Sequence, residues 1–356
     1  MIIGHTGAVI IDGLNVPIVL APMAGGPSTP ELTVAVTDAG GFGLLAAGYL
    51  SAADTAARIT TTRLATAAPF GVNLFVPGPA TPPAVFADYL AELARDHKVG
   101  AAKYDTDDWD AKLDLLVAEP VAVVSFTFGC PSAAEIDRLH AVGSEIWVTV
   151  TSPGEAHIAL ERGADVLIAQ GAEAGGHRAT FVDRVEDDAT DPLGLLALLQ
   201  LVTAMTDRPV VATGGISTGA GIAAALAAGA AAVQLGTVFL RCPEAGTNAT
   251  HRAALGAATP TMLTRAFTGR RARGLRNQFM IEHSATAPAA YPEIHYATAP
   301  LRAEARTTGN HDDVNMWAGQ THTLTTELPA GELVGKLAAD TKAALKAALS
   351  RRIQDC

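Results

Sequence analysis

Cysteine is scarce in this chain of 356 residues, which has only Cys130, Cys242 and Cys356. They are widely spaced, form no C-x-x-C and cannot all pair within one chain. That excludes a disulfide framework and makes a reduced, cytoplasmic setting the expected one. Positive charge is also in deficit: 25 Lys and Arg stand against 36 Asp and Glu, for a formal net charge of -11. Such a surface repels nucleic acid and anionic bilayers, so neither is expected as a partner, and a small molecule is. No basic segment leads into an apolar one at the start, so no secretion signal is expected. Residues 220–240 carry no charge, but alanine dominates them and Gly221, Gly229 and Gly236 interrupt them. A helix packed on a sheet and then a buried strand suits that composition better than a membrane span, which draws on Leu, Ile and Phe. There is no G-x-x-x-x-G-K-[ST], no H-E-x-x-H, no G-x-S-x-G and no cysteine–histidine cluster. Triphosphate chemistry and a metal site therefore have no support, and no metal ligand is assigned.

Apolar residues are abundant, at 49% against 17% charged, enough for a large buried core. Short β-rich apolar runs at 18–21, 43–46, 70–74, 121–126, 146–150, 166–169, 210–212 and 232–235 number eight. Helical segments at 30–39, 52–62, 84–96, 110–117, 132–141, 153–162, 193–203 and 219–228 alternate with them. Strands that are apolar throughout, without a period of two, belong to a parallel sheet covered on one face and filled on the other. Eight such units predict a (β/α)8 TIM barrel; a doubly wound sheet of five or six strands leaves units over. From about Cys242 the pattern changes to arginine clusters and scattered prolines. The expected organisation is a barrel over 1–241, a smaller inserted domain over 242–330 after strand eight, and a closing amphipathic helix within 331–356. That helix has an apolar face for the barrel or for a second copy of the chain, so a homodimer is one of two arrangements it allows.

In a barrel, ligands sit at the carboxyl ends of the strands. The sixth run leads into Gln170-Gly171-Ala172-Glu173-Ala174-Gly175-Gly176-His177-Arg178, where paired glycines precede an imidazole. Glycine permits close backbone approach and histidine titrates near neutrality, so chemistry fits here, although a glycine pair also makes a plain turn with a solvated histidine. The seventh run ends in Thr213-Gly214-Gly215-Ile216-Ser217-Thr218 at the start of a helix, and the eighth in Gln234-Leu235-Gly236-Thr237. Bare amides of Gly214, Gly215 and Gly236, a helix N-terminus and the Thr237 hydroxyl suit a phosphate without any lysine. Met23 after the first run, Asn73 in the third and Gln170 can line a flat aromatic ring, with plain core and strand-end roles open to the first two. A phosphate cradle beside an apolar, amide-lined cavity is what FMN requires. Gly219-Ala220-Gly221-Ile222-Ala223-Ala224 also matches a dinucleotide fingerprint, with Glu244 about twenty residues on, but its glycines fall inside the helix rather than in the turn.

These residues carry a family resemblance. Ala21-Pro22-Met23-Ala24-Gly25-Gly26-Pro27-Ser28-Thr29-Pro30-Glu31-Leu32, the run from Gln170 to Arg178, the two glycine-bearing strand ends and Asn315-Met316-Trp317-Ala318-Gly319-Gln320 together resemble the FMN-containing nitronate monooxygenases, formerly 2-nitropropane dioxygenases. The resemblance spans nearly the whole chain. It implies FMN contacts at Met23, Asn73, Gln170, Gly175, Gly215, Gln234, Gly236 and Thr237, with Gly176 and Gly214 beside them in the same turns, and an active-site histidine at His177. It implies oxidation of an alkyl nitronate, such as propionate 3-nitronate, by O2 to a carbonyl compound and nitrite. His177 then either holds the nitro oxygens as a cation or acts, neutral, as a base on the nitroalkane. Ala179 departs from the glycine that often follows His-Arg. The alternative is an NAD(P)H-dependent FMN reductase of the enoyl-acyl-carrier reductase or NADH:quinone reductase type, which shares the Gly-Gly-His loop; a non-catalytic flavin binder is a third. Tyr291, Tyr296 and Trp317 are candidates for a pocket wall or for plain core, and Arg270, Arg271 and Arg273 are expected on a solvated face.

Overall fold

The computed structural model describes residues 9–350, so Cys356 and the end of the expected last helix lie outside the described residues. All eight expected strands form. They are β1 (Ile18–Leu20), β2 (Leu44–Ala46), β3 (Gly71–Phe75), β4 (Val123–Thr127), β5 (Glu145–Val150) and β6 (Val166–Gln170), followed, after a short β7 (Gly176–His177), by β8 (Val210–Thr213) and β9 (Ala232–Leu235). The eight long strands pair in parallel in the order β1-β9-β8-β6-β5-β4-β3-β2. Phe42 closes the ring: Leu20 N donates to its carbonyl and its own N–H donates to Ile18 O, each at 2.9 Å.

Continuous apolarity in the strands has a direct cause, because both faces are buried. Val19, Leu44, Val123, Trp147, Ile168 and Val211 fill the interior, and the alternate residues Leu20, Leu45, Val124, Val148, Leu167 and Ala212 pack under the surrounding helices. Ile11, on the turn Ile10–Gly13, joins the interior cluster, and Ile10 N donates to Glu145 Oε1 at the amino end of β5. That segment covers the amino end of the barrel, so the opening is at the carboxyl end.

Beyond β9 the chain makes a hairpin, β10 (Thr261–Thr264) and β11 (Ala272–Leu275), and the helices Gln278–His283, Glu293–Ala297 and Ala299–Thr308. β11 also pairs antiparallel with β7, placing Ala272 opposite His177 and Arg273 opposite Gly176. Phe267, Phe279, Met280, Ile294 and Leu301 form a separate apolar cluster with Phe86, Tyr89 and Leu93 of the helix Pro83–Leu93. The inserted segment is thus anchored on the barrel at the β6 loop and at the helix after β3.

The last helix, Ala330–Ser350, packs against Gly219–Ala227 and Pro30–Asp38, the helices after the seventh and first barrel strands. That is the eighth helix position, so Leu333, Val334 and Leu337 of its apolar face are used by the barrel itself, while Leu349 is exposed. Glu244 accepts from its first residue, Ala330 N, at 3.1 Å. A Cβ on Gly219 would lie 2.4 Å from Asp340 Cβ and 2.5 Å from the Thr341 N. The glycine of the fingerprint-like match is therefore a helix-packing contact, away from any phosphate turn. Gly219→Ala would force the two helices apart and should cost about 1–3 kcal/mol. A urea unfolding curve with a lower midpoint and unchanged slope is the expected result; an unchanged midpoint would contradict this packing.

Candidate functional site

The loop after β6 is fixed by its own side chains. Gln170 Oε1 accepts from Ala179 N and its Nε2 donates to His177 O, both at 3.0 Å. The buried Arg178 donates through Nη1 to Gln170 O and Gly171 O at 3.1 and 2.6 Å. A Cβ on Gly175 would sit 2.4 Å from Gly319 N, so this glycine lets the segment around Trp317 lie directly on the loop. His177 is consequently held on β7, with Nε2 2.9 Å from Thr268 Oγ1 and the rings of Phe128, Tyr291 and Trp317 5.5–5.7 Å away. Burial, then the guanidinium groups of Arg270 and Arg302, push its pKa down to about 3. The shift favours the neutral imidazole at physiological pH.

Expectation and structure part at the arginine run. Arg270 and Arg273 are only 7% and 8% exposed. Arg270 lies over the Phe128 ring at 4.1 Å and donates to the carbonyls of Arg178 and Thr180. Arg273 donates to Ala172 O, and the nearby Arg265 grips Asp183 through two contacts of 2.9 and 3.0 Å. A charge run at a strand end looks solvated in sequence. Here its cations are covered because backbone carbonyls and a ring face receive them.

A cavity of about 490 Å³ opens at the carboxyl ends of the strands. His177, Gln170, Gly175 and Gly176 line it from the β6 loop, Gly214 and Gly215 from the end of β8, Gln234, Gly236 and Thr237 from β9, and Met23 from β1. Gly214 and Gly215 have φ of +118° and +68°, so this turn requires residues without a Cβ. Gln234 Nε2 is buried in the wall with no hydrogen-bond partner. Thr237 Oγ1 accepts from Gly319 N at 3.0 Å. Asn73 stands behind the wall: its Nδ2 donates to Ser125 O, Ser125 Oγ and Thr127 Oγ1, and Thr127 faces the cavity in its place.

Several lining residues escaped the reading of the sequence. Tyr49 follows β2 and was open to the same strand-end argument; its φ is +67° and its amide donates to Asp107 Oδ1 at 2.7 Å. Its ring stacks on His295 with centroids 4.1 Å apart, and its hydroxyl accepts from Tyr291 at 3.1 Å. His251, His295, Arg302 and Asn315 come from the inserted segment, whose irregular spacing carries no strand-end signal. Of the three expected wall aromatics only Trp317 lines the cavity; Tyr291 packs behind it on the His177 ring, and Tyr296 is not in the lining. No Asp or Glu lines it, whereas Arg302 and Arg306 do, so an acidic chain presents a cationic cavity. Among the described residues no group of His, Cys, Asp and Glu is arranged to hold a metal, and no helix is long and apolar enough to cross a membrane.

Burial also pushes His251 down to about 4, and His295 well below its ordinary range. Unfolded histidine takes up a proton below about pH 6.5, whereas these folded ones refuse it until far lower, so stability is lost as pH falls from 6.5 toward 4. The loss is up to about 1.4 kcal/mol per pH unit for each histidine. Melting temperatures from pH 8 to pH 4.5 should fall below pH 6.5 and fall less steeply in His177→Asn; parallel curves would contradict the neutral imidazole.

Comparison with known proteins agrees with this geometry. A family model described as nitronate monooxygenase matches residues 9–340. Nitronate monooxygenases of Pseudomonas aeruginosa and Paraburkholderia phytofirmans are 42% and 40% identical to the chain, covering 91% and 94% of it and 96% and 94% of their own lengths. Among solved structures, a nitroalkane oxidase from Streptomyces ansochromogenes is 47% identical with a TM-score of 0.93, over 96% of this chain and 100% of that one. FabK from Thermotoga maritima is 26% identical with a TM-score of 0.76, over 96% and 97% of the two chains. Matched from end to end by such relatives, the chain belongs to the nitronate monooxygenase family of flavin-dependent oxidoreductases.

Proposed function

We propose that the chain oxidises alkyl nitronates, propionate 3-nitronate among them, with O2 to a carbonyl compound and nitrite, using FMN bound in the cavity. The residues present suit that cofactor. The side-chain amide of Gln234 has a buried, unpartnered N–H donor for a ring carbonyl or nitrogen, and the left-handed turn at Gly214 and Gly215 exposes backbone amides where a phosphate belongs. Met23, Gln170, Gly175, Gly176, Gly236 and Thr237 line the space between, and Asn73 supports the wall from behind. When bound, FMN supplies an acceptor for an electron from the substrate carbon.

The observation that carries the reading is His177 facing a cavity that Arg302 and Arg306 line and no carboxylate does. Burial and the nearby guanidinium groups lower the basicity of His177, which disfavours drawing a carbon-bound proton from a neutral nitroalkane. The preformed nitronate anion needs no such step, and the cationic wall attracts it. Thr268 holds Nε2 and fixes the plane of the imidazole, with the rings of Phe128, Tyr291 and Trp317 packed around it. With Nε2 accepting from the Thr268 hydroxyl, the neutral imidazole keeps its proton on Nδ1, and His177 then acts by orienting the nitro group and donating to it through that N–H.

Anaerobic stopped-flow mixing of the purified yellow protein tests this. Propionate 3-nitronate should bleach the flavin and NADH should leave it oxidised; bleaching by NADH alone would point to a reductase, and bleaching by neither to a binder. His177→Asn should retain FMN, released and identified after denaturation, and lose roughly 10²-fold or more in turnover.

A further inference from the structure

The cavity lining includes two arginines from one helix, Ala299–Thr308. Arg302 and Arg306 are four residues apart, hence on the same face and about 6 Å apart along the axis. Their surroundings differ. Arg302 is buried, donating through Nε to Thr298 Oγ1 and through Nη2 to His295 O, and its charge helps to depress His177. Arg306 is exposed at the cavity edge, and among the described residues it has no carboxylate partner and no side-chain hydrogen bond. An arginine facing a cavity with no acidic residue in its lining is placed to receive an anion from solution, and the planar guanidinium matches a carboxylate with two parallel hydrogen bonds.

Resting on the proposed nitronate chemistry, we infer that Arg306 selects substrates bearing a second anionic group, binding the carboxylate of a short-chain acid nitronate while the nitronate end lies toward Arg302 and His177. Two cations one helical turn apart match a short dianion with a charge at each end. An alkyl nitronate of similar length gains from the inner cation alone. The length of the acid is thereby limited as well, since a longer chain would carry its carboxylate past the helix.

The test compares propionate 3-nitronate with propyl 1-nitronate on the FMN-loaded enzyme. Arg306→Gln should lower kcat/KM for the acid nitronate about tenfold more than for the alkyl one, and Arg306→Lys should restore part of that difference. The preference of the wild type for the acid should shrink as salt is raised, because an edge charge is screened. An unchanged ratio of the two kcat/KM values in Arg306→Gln would overturn the inference while leaving the nitronate chemistry standing. If neither nitronate is turned over, the proposed function fails, and binding of 3-nitropropionate, read from the flavin absorption band, decides the carboxylate site. Weaker binding to Arg306→Gln than to wild type supports it, and equal binding overturns it.

Discussion

The side-chain amide of Gln170 is the joint on which the candidate site depends. It ends β6 and, with its two polar atoms, takes the backbone of His177 and of Ala179, so the chain leaving the barrel turns back over the opening. Only with that turn fixed can β7 pair with β11 and tie the inserted segment to the barrel mouth. Arg178 reinforces the same bend from below through two carbonyls. A buried amide whose donor and acceptor are both satisfied is worth most where the alternative is an unpaired group in a dry site.

Electrostatics follows from that geometry. The hairpin and the helices beyond it bring Arg270 and Arg302 close to a histidine that burial has already made reluctant to charge. The cost of burying the arginines is offset by backbone carbonyls, a threonine hydroxyl and the face of Phe128, with no acid inside the cavity. Their positive charge is therefore left to act on a ligand. An acidic exterior and a cationic, carboxylate-free interior together favour a small anion over a polyanion, since the rest of the surface repels anything large and negative.

Much of this was legible in the residues. The eight strands and their helices could be counted because each strand is buried on two faces and so is apolar without alternation, and the strand-end rule then marked His177, Gly214, Gly215, Gly236 and Thr237. Asn73 was placed at the right strand end, but the structure turns its amide onto Ser125 and Thr127, and that choice depends on neighbours from β4. The arginine run was misread because charge in a sequence reads as exposure, and its burial is decided by carbonyls and a ring distant in the chain. Tyr49 was within reach of the same rule. His295, Arg302 and Arg306 were not, since they enter the cavity from an insertion with no repeating unit to index them.

In the proposed reaction His177 is neutral and the cavity takes its substrate already ionised. A pH titration of the flavin-loaded protein labelled with 15N-histidine, the His177 resonance assigned by its loss in His177→Asn, tests this. Nitrogen shifts of a neutral imidazole throughout pH 5–8 are the expected result. An imidazolium forming with a midpoint near 6.5 would contradict the account.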